Sequence, residues 1–217
     1  MSAGGNLSIS AAEYAAFQTF LEKTCGIVLG AGKEYLVTSR LNGILKEHGL
    51  DSYKALIDKL QHGFHSPINT RVVDAMTTNE TFWFRDLAQF RILSNDIYPE
   101  FTNKRLKIWS AACSTGQEPY SISMNVADYK AQHPGDRFEV DIMATDISPT
   151  VLKEAREGFD CGMSASRGVD QSKIGKYFEA DAGCIQVKPD IKRRVTFREL
   201  NLTQSYSSLG KFDVIFC

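Results

Sequence analysis

The sequence predicts an α/β fold preceded by a small all-α bundle, and three observations carry that expectation. Residues 106–124 (L-K-I-W-S-A-A-C-S-T-G-Q-E-P-Y-S-I-S-M) read as a buried strand, a loop of small residues and a helix. That unit holds nucleotide-like ligands at the carboxyl end of parallel sheets. Residues 137–147 (R-F-E-V-D-I-M-A-T-D-I) repeat the strand pattern and place an acid, Asp146, at its end. Residues 10–76, by contrast, carry helical periodicity throughout.

In the bundle, Ser10 followed by Glu13 makes a capping box, and Tyr14, Phe17, Phe20, Leu21 and Val28 give the first helix an apolar side until Gly26 and Gly30 interrupt. A second helix is expected from about Lys33 to His48. A third follows the Asp51-Ser52 cap with Tyr53, Leu56, Ile57 and Leu60 inward, and a fourth follows Ser66-Pro67 with Ile68, Val72, Val73 and Met76 inward. Arg40 falls within the apolar arc of Leu36, Val37, Leu41 and Ile44, and Lys33 shares nearly its azimuth. Such side chains either snorkel or pair with an acid, or they line a cleft facing an acidic partner.

Residues 77–86 (T-T-N-E-T-F-W-F-R-D) lead from the bundle to a helix at about 87–101. The stretch is too polar at its start and too aromatic at its end for an ordinary linker. Asn79, Thr81 and Arg85 offer hydrogen-bonding groups, while Phe82, Trp83 and Phe84 can glue a hinge by packing on both flanking units.

The loop after the first strand decides the ligand class. Strand 106–109 should stop at Ser110, and Gly116 lets a ligand lie on the main chain. The loop has neither the three glycines of a dinucleotide fingerprint nor the Gly-Lys-Ser/Thr of a P-loop. It carries Glu118 instead, which would repel a pyrophosphate. An acid there suits a cationic, hydroxyl-rich ligand such as S-adenosylmethionine, or it caps the helix start. Asp146 has the same two readings, as acceptor for two ribose hydroxyls or as the cap of a helix opened by Ser148-Pro149. Further on, C-I-Q-V and R-V-T-F look like paired strands around Lys188-Pro189-Asp190, and residues 195–200 and 212–217 read as two more strands of the parallel sheet.

Composition removes several classes. With 25 basic and 26 acidic residues the chain has no general pull towards nucleic acid. It has no apolar run of membrane-spanning length and no basic-then-apolar leader. Five cysteines (Cys25, Cys113, Cys161, Cys184, Cys217), odd in number and never in a C-x-x-C pair, argue for reduced thiols and against a zinc site.

Taken in order, T-T-N-E-T-F-W-F-R, W-S-A-A-C-S-T-G-Q-E-P-Y-S, A-T-D-I, the Asn201-Leu202 pair and F-D-V-I-F-C resemble the CheR-type chemoreceptor methyltransferases over nearly the whole chain. The resemblance implies a Rossmann-like S-adenosylmethionine-dependent methyltransferase domain behind the family's helical domain. Its boundaries would be 10–76 for the bundle, 77–90 for a linker entering the cofactor site, and 91–217 for the methyltransferase domain with a β-subdomain inserted at about 177–200. The implied reaction is methylation of receptor glutamates to γ-methyl esters for chemotactic adaptation in the cytoplasm, leaving S-adenosylhomocysteine. Asn79, Thr81, Arg85, Glu118, Asp146, Asn201 and Leu202 would hold the cofactor, and Arg85 would also align the reacting carboxylate. Lys33 and Arg40 would face the cytoplasmic helical region of the receptor. The short turn after Glu179 implies weak or absent binding of a receptor-tail peptide. The family pattern continues past F-C, so the chain is expected to run on for about 60 residues, enough for three strands and their crossovers. A non-catalytic module binding the same cofactor or its demethylated product is the alternative reading.

Overall fold

The computed structural model describes residues 7–61, 66–162 and 165–217. They form two compact units, one running to Thr78 and including residues 201–204, the other made of residues 79–200 and 205–217.

The first unit holds α1 (Ala11–Cys25), α2 (Glu34–Glu47), α3 (Tyr53–Gln61) and α4 (Pro67–Met76). The capping box forms as expected, with Glu13 N–H donating to Ser10 Oγ and Ser10 N–H donating to Glu13 Oε2 at 2.8 Å. α1 ends at Gly26 in the left-handed conformation. Val28 therefore lies beyond the helix and is 72% exposed, so it is not part of the apolar side. Phe17, Leu21, Val37, Leu41, Leu45, Leu56, Leu60 and Val72 are fully buried at the centre of the bundle.

The second unit opens with α5 (Leu87–Ile92), which runs into a π-helical turn (Leu93–Ile97) and a 3-10 turn (Tyr98–Phe101). Its sheet contains β1 (Arg105–Ala111), β2 (Glu139–Asp146), β6 (Val195–Glu199) and β7 (Val214–Phe216), all parallel and ordered β6-β2-β1-β7. The last strand pairs with the first, as a doubly wound sheet requires. Helices α6 (Gln117–Gln132) and α7 (Pro149–Glu157) follow β1 and β2. β1 continues through Ser110 to Ala111, one residue past the expected stop, because both pair in register with Ala144 and Thr145.

A separate antiparallel sheet has the order β3-β5-β4, from β3 (Phe159–Cys161), β4 (Phe178–Asp181) and β5 (Cys184–Val187), with α8 (Gln171–Tyr177) leading into β4. The inserted subdomain thus starts earlier and ends sooner than residues 177–200. C-I-Q-V pairs with β3 and β4, whereas R-V-T-F joins the parallel sheet as β6. Lys188-Pro189 opens a short helix, α9 (Pro189–Lys192), rather than a hairpin turn. A proline at the first helical position costs no hydrogen bond there. The all-reduced reading of the cysteines is also corrected. Cys161 stands opposite Cys184 across β3 and β5 and is disulfide-bonded to it, a pairing that a separation of 23 residues concealed.

From Asn79 on, the linker residues belong to this second unit. Trp83 is 3% exposed and meets Phe178 edge-on with ring centres 4.9 Å apart, while Phe84 packs on Phe90 at 5.2 Å. Trp83 and Phe84, two of the three aromatics that could have glued a hinge, are core of the α/β unit.

Candidate active site

The loop joining β1 to α6 is built from strained backbone. Ala112, Ser114 and Gly116 all take positive φ, at 66°, 50° and 93°. For the two non-glycines this costs on the order of 1 kcal/mol or more each, and it persists only where neighbours over-determine it. Here they do. Cys113 N–H donates to the Thr145 carbonyl at 2.8 Å, Ser114 N–H donates to Asp146 Oδ2 at 2.8 Å, and Ser114 Oγ donates to the Asn79 carbonyl at 2.9 Å. Gly116 is needed for packing as well as for its φ, since a Cβ there would stand 3.1 Å from the Ala155 Cβ of α7.

Both expected acids lie against this loop. Asp146 is 6% exposed, and its second oxygen accepts the Ser148 N–H at 3.0 Å. The cap of α7 is Ser148, whose Oγ accepts from Val151 N–H, so Asp146 is not spent as a helix cap. A carboxylate has about four acceptor positions, and two are left for a ligand's hydroxyls. Glu118 accepts from Ser110 Oγ at 2.6 Å and makes no capping bond for α6, whose cap position is Gly116. Burial pushes the Glu118 carboxyl above its usual range, opposed by the Ser110 hydrogen bond and by the nearby Arg85 charge.

The linker supplies the facing wall. Phe84 N–H donates to Ser121 Oγ at 3.0 Å, and that hydroxyl donates to the Gln117 carbonyl at 2.6 Å, tying the linker to the first turn of α6. Phe84 and Asp86 both take positive φ, at 52° and 58°, so the backbone on either side of Arg85 is fixed in an uncommon shape. Asn79 and Thr81 line a cavity of about 280 Å³ together with Phe82, Thr115, Gln117 and Asp160.

The structure therefore brings Asn79, Thr81, Arg85, Glu118 and Asp146 to one end of the parallel sheet. Asn201 and Leu202 fall with the helical unit, where Asn201 Nδ2 donates to the Thr24 carbonyl at 2.7 Å and Leu202 is 42% exposed. Lys33 is exposed at the start of α2, its ammonium 5.9 Å from the Tyr35 ring centre. Arg40 has an internal task. Its Nη1 donates to the carbonyls of Met76 at 2.8 Å and Thr77 at 3.0 Å, placing a cation where the end of α4 favours one. Arg40→Met should accordingly lower the unfolding free energy by about 1–2 kcal/mol, read from urea midpoints at constant slope.

Sequence reading missed Ser110, Ser121, Gln117 and Asp160. The serines look like filler in a small-residue stretch, and Asp160 reaches the site only because β3 starts directly after α7.

The residues fit S-adenosylmethionine by their chemistry. Two carboxylates, one partly and one almost fully buried, lie at the strand-to-helix junctions of adjacent βα units, and a cationic ligand with a ribose diol satisfies both. Among the described residues no group of His, Cys, Asp and Glu could hold a metal ion, and no helix is long and apolar enough to cross a membrane.

Comparison with known proteins agrees. Residues 79–217 match the family described as CheR methyltransferase, SAM binding domain, and residues 12–77 match CheR methyltransferase, all-alpha domain. The chain is similar to Chemotaxis protein methyltransferase Cher2 of Pseudomonas putida, 44% identical over 94% of this chain and 77% of that protein. It is 45% identical to Chemotaxis protein methyltransferase 1 of Pseudomonas aeruginosa, over 97% of this chain and 79% of that one. Chemotaxis protein methyltransferase 1 of Vibrio cholerae is 45% identical over 97% and 78%. The two family matches meet where the structure itself divides, beside Thr78. An acid in the first turn of α6 and another at the end of β2, a strained loop after β1 and relatives along nearly the full sequence lead to one assignment: this chain belongs to the CheR methyltransferase family, enzymes of chemotaxis that draw their methyl group from S-adenosylmethionine.

Proposed function

We propose that this site esterifies glutamate side chains on the cytoplasmic helical region of chemoreceptors, for adaptation in chemotaxis. The observation that supports it most directly is the placing of Arg85 beside the acid-lined loop, with its backbone fixed on both sides. A glutamate with a pKa near 4.3 is already ionised at neutral pH, so the site needs no general base. When bound, S-adenosylmethionine supplies a methyl group on a sulfonium sulfur, and S-adenosylhomocysteine is left.

The protein's task is alignment. Glu118 and Asp146 hold the methionine and ribose ends of the cofactor, and Asn79 and Thr81 approach it from the linker. Arg85 presents a planar fork to the acceptor carboxylate and fixes its direction. Fixing both reactants in this way converts a bimolecular displacement into a unimolecular one. Lys33, exposed at the start of α2, and Arg40, further along the same helix, are the basic residues offered to the receptor. Binding of a receptor-tail peptide is weak or absent, because the β4–β5 connection is only the Ala182-Gly183 turn. The setting is the cytoplasm; the Cys161–Cys184 bond is the one feature pointing away from a reducing compartment.

Incubating the protein with labelled S-adenosylmethionine and receptor-bearing membranes should label the receptor with methyl groups that mild base releases, as an ester requires. Binding of the cofactor with no transfer would instead establish a non-catalytic module, and base-stable label would exclude the ester.

A further inference from the structure

Two arginines meet one aromatic ring in the α/β unit. The Arg85 guanidinium lies 5.7 Å from the centre of the Phe82 ring, and the Arg167 guanidinium lies 4.5 Å from it. Arg167 is far away in sequence, yet the turn that carries it, residues 165–168, is fixed to the linker at three points. The Trp83 indole N–H donates to the Ala165 carbonyl at 2.7 Å, and the Trp83 backbone N–H donates to the Arg167 carbonyl at 3.2 Å. Gly168 lies so close that a Cβ there would overlap the Trp83 carbonyl oxygen. The main chain of Arg167 is thus held rigidly, while its side chain, 57% exposed, lines one side of the cavity that Asn79, Thr81 and Gln117 also line.

Two like charges against one ring repel, and an exposed ring face offsets only part of that repulsion. Among the described residues the acid paired with Arg167 is Glu80, at 3.5 Å with 71% of its side chain exposed. Such a pair is weak and exchanges readily for a better partner. One guanidinium fork is enough for one carboxylate, so a second fork beside it calls for a second acid. On a helix, acids one turn apart stand about 5–6 Å from each other, a separation that two guanidiniums lying 5.7 and 4.5 Å from one ring centre can span.

We infer that Arg167 is a substrate-positioning residue, which binds an acidic side chain one helical turn from the methyl-accepting glutamate while Arg85 orients the acceptor itself. The inference rests on the methyl-transfer reading above and adds to it a requirement on the substrate: an acidic neighbour on the same helical face. Nothing in it requires Arg167 to touch the cofactor.

The test uses the full chain and a helical receptor fragment with one acceptor glutamate and an acid one turn away. Arg167→Ala should raise KM for the fragment roughly three- to tenfold. Turnover should stay within twofold, and calorimetric affinity for S-adenosylmethionine and the unfolding midpoint should be unchanged. Arg167→Lys, which keeps the charge and loses the fork, should give an intermediate KM. Changing the neighbouring acid of the fragment to Gln should raise KM for the wild-type protein and leave it unchanged for Arg167→Ala, because the two changes remove the same contact. An unchanged KM in Arg167→Ala, or effects that simply add, would overturn the inference while leaving methyl transfer standing. If the wild-type protein transfers no methyl group to the fragment, the functional reading and the inference fall together.

Discussion

Asp146→Ala should weaken S-adenosylmethionine binding at least tenfold, and Asp146→Asn should do nearly the same at a smaller cost in stability. Each charge-assisted hydrogen bond to a ribose hydroxyl contributes about 1.5–3 kcal/mol, roughly a tenfold to hundredfold change in affinity. The structure adds a second consequence for the alanine variant. Asp146 already accepts the N–H groups of Ser114 and Ser148, and removing it leaves two buried donors without partners, at about 1–3 kcal/mol each. Alanine therefore disturbs the loop as well as the contact. Asparagine retains one acceptor oxygen for one of the two N–H groups and turns an NH2 towards the other, so it keeps part of the loop's support while removing the carboxylate's charge. Calorimetric titration of both variants, beside their urea midpoints, separates the two effects. Full cofactor affinity in Asp146→Asn would take the residue out of the binding site and leave it a purely structural acceptor.

The second large effect is expected at Arg85. Arg85→Lys should lower turnover about tenfold or more while changing receptor affinity little, since lysine keeps the charge and cannot reproduce the planar fork. The backbone makes this a clean substitution. Phe84 and Asp86 fix the main chain on either side, and Gln89 Nε2 donates to the Arg85 carbonyl at 2.7 Å, so the new side chain starts from the same place. The measurement is turnover across a series of cofactor concentrations. A defect that persists at saturating S-adenosylmethionine places Arg85 on the acceptor carboxylate, and one that vanishes there places it on the cofactor alone.

The parts of this molecule legible in its sequence are those governed by neighbours in sequence. Ser10 and Glu13 are three apart and cap α1 as their spacing demands. Leu106, Ile108, Val140 and Ile142 are apolar because β1 and β2 are central strands, and that pattern was enough to put Asp146 at a strand end. What failed depended on partners that no local pattern names. R-V-T-F has the same residue chemistry as C-I-Q-V, and only the register with β2 puts the first in the parallel sheet. Cys161 and Cys184 give no spacing signal, because their bond follows from strand pairing. Arg40 lay on the apolar arc for a reason neither local reading supplied: the carbonyls it serves are at the end of α4, 36 and 37 residues away. At the site, Glu118 and Asp146 stood out as acids in an apolar setting. Ser121 and Arg167 did not, because a serine in a helix and an arginine in a turn are each ordinary until the linker lies against them.

The attachment of Trp83 to Ala165 also bears on how the chain is made. These residues are 82 positions apart. At a synthesis rate of about 5–20 residues per second, the indole is made roughly 4–16 s before the carbonyl it will donate to. During that interval α1 to α4 have all been made, while Phe82, Trp83 and Phe84 have no core to enter. The nascent chain thus carries an aromatic triplet in water until the α/β unit forms around it. Chaperone capture should be strongest there, and it should end when residues 165–168 arrive and the linker is drawn into place.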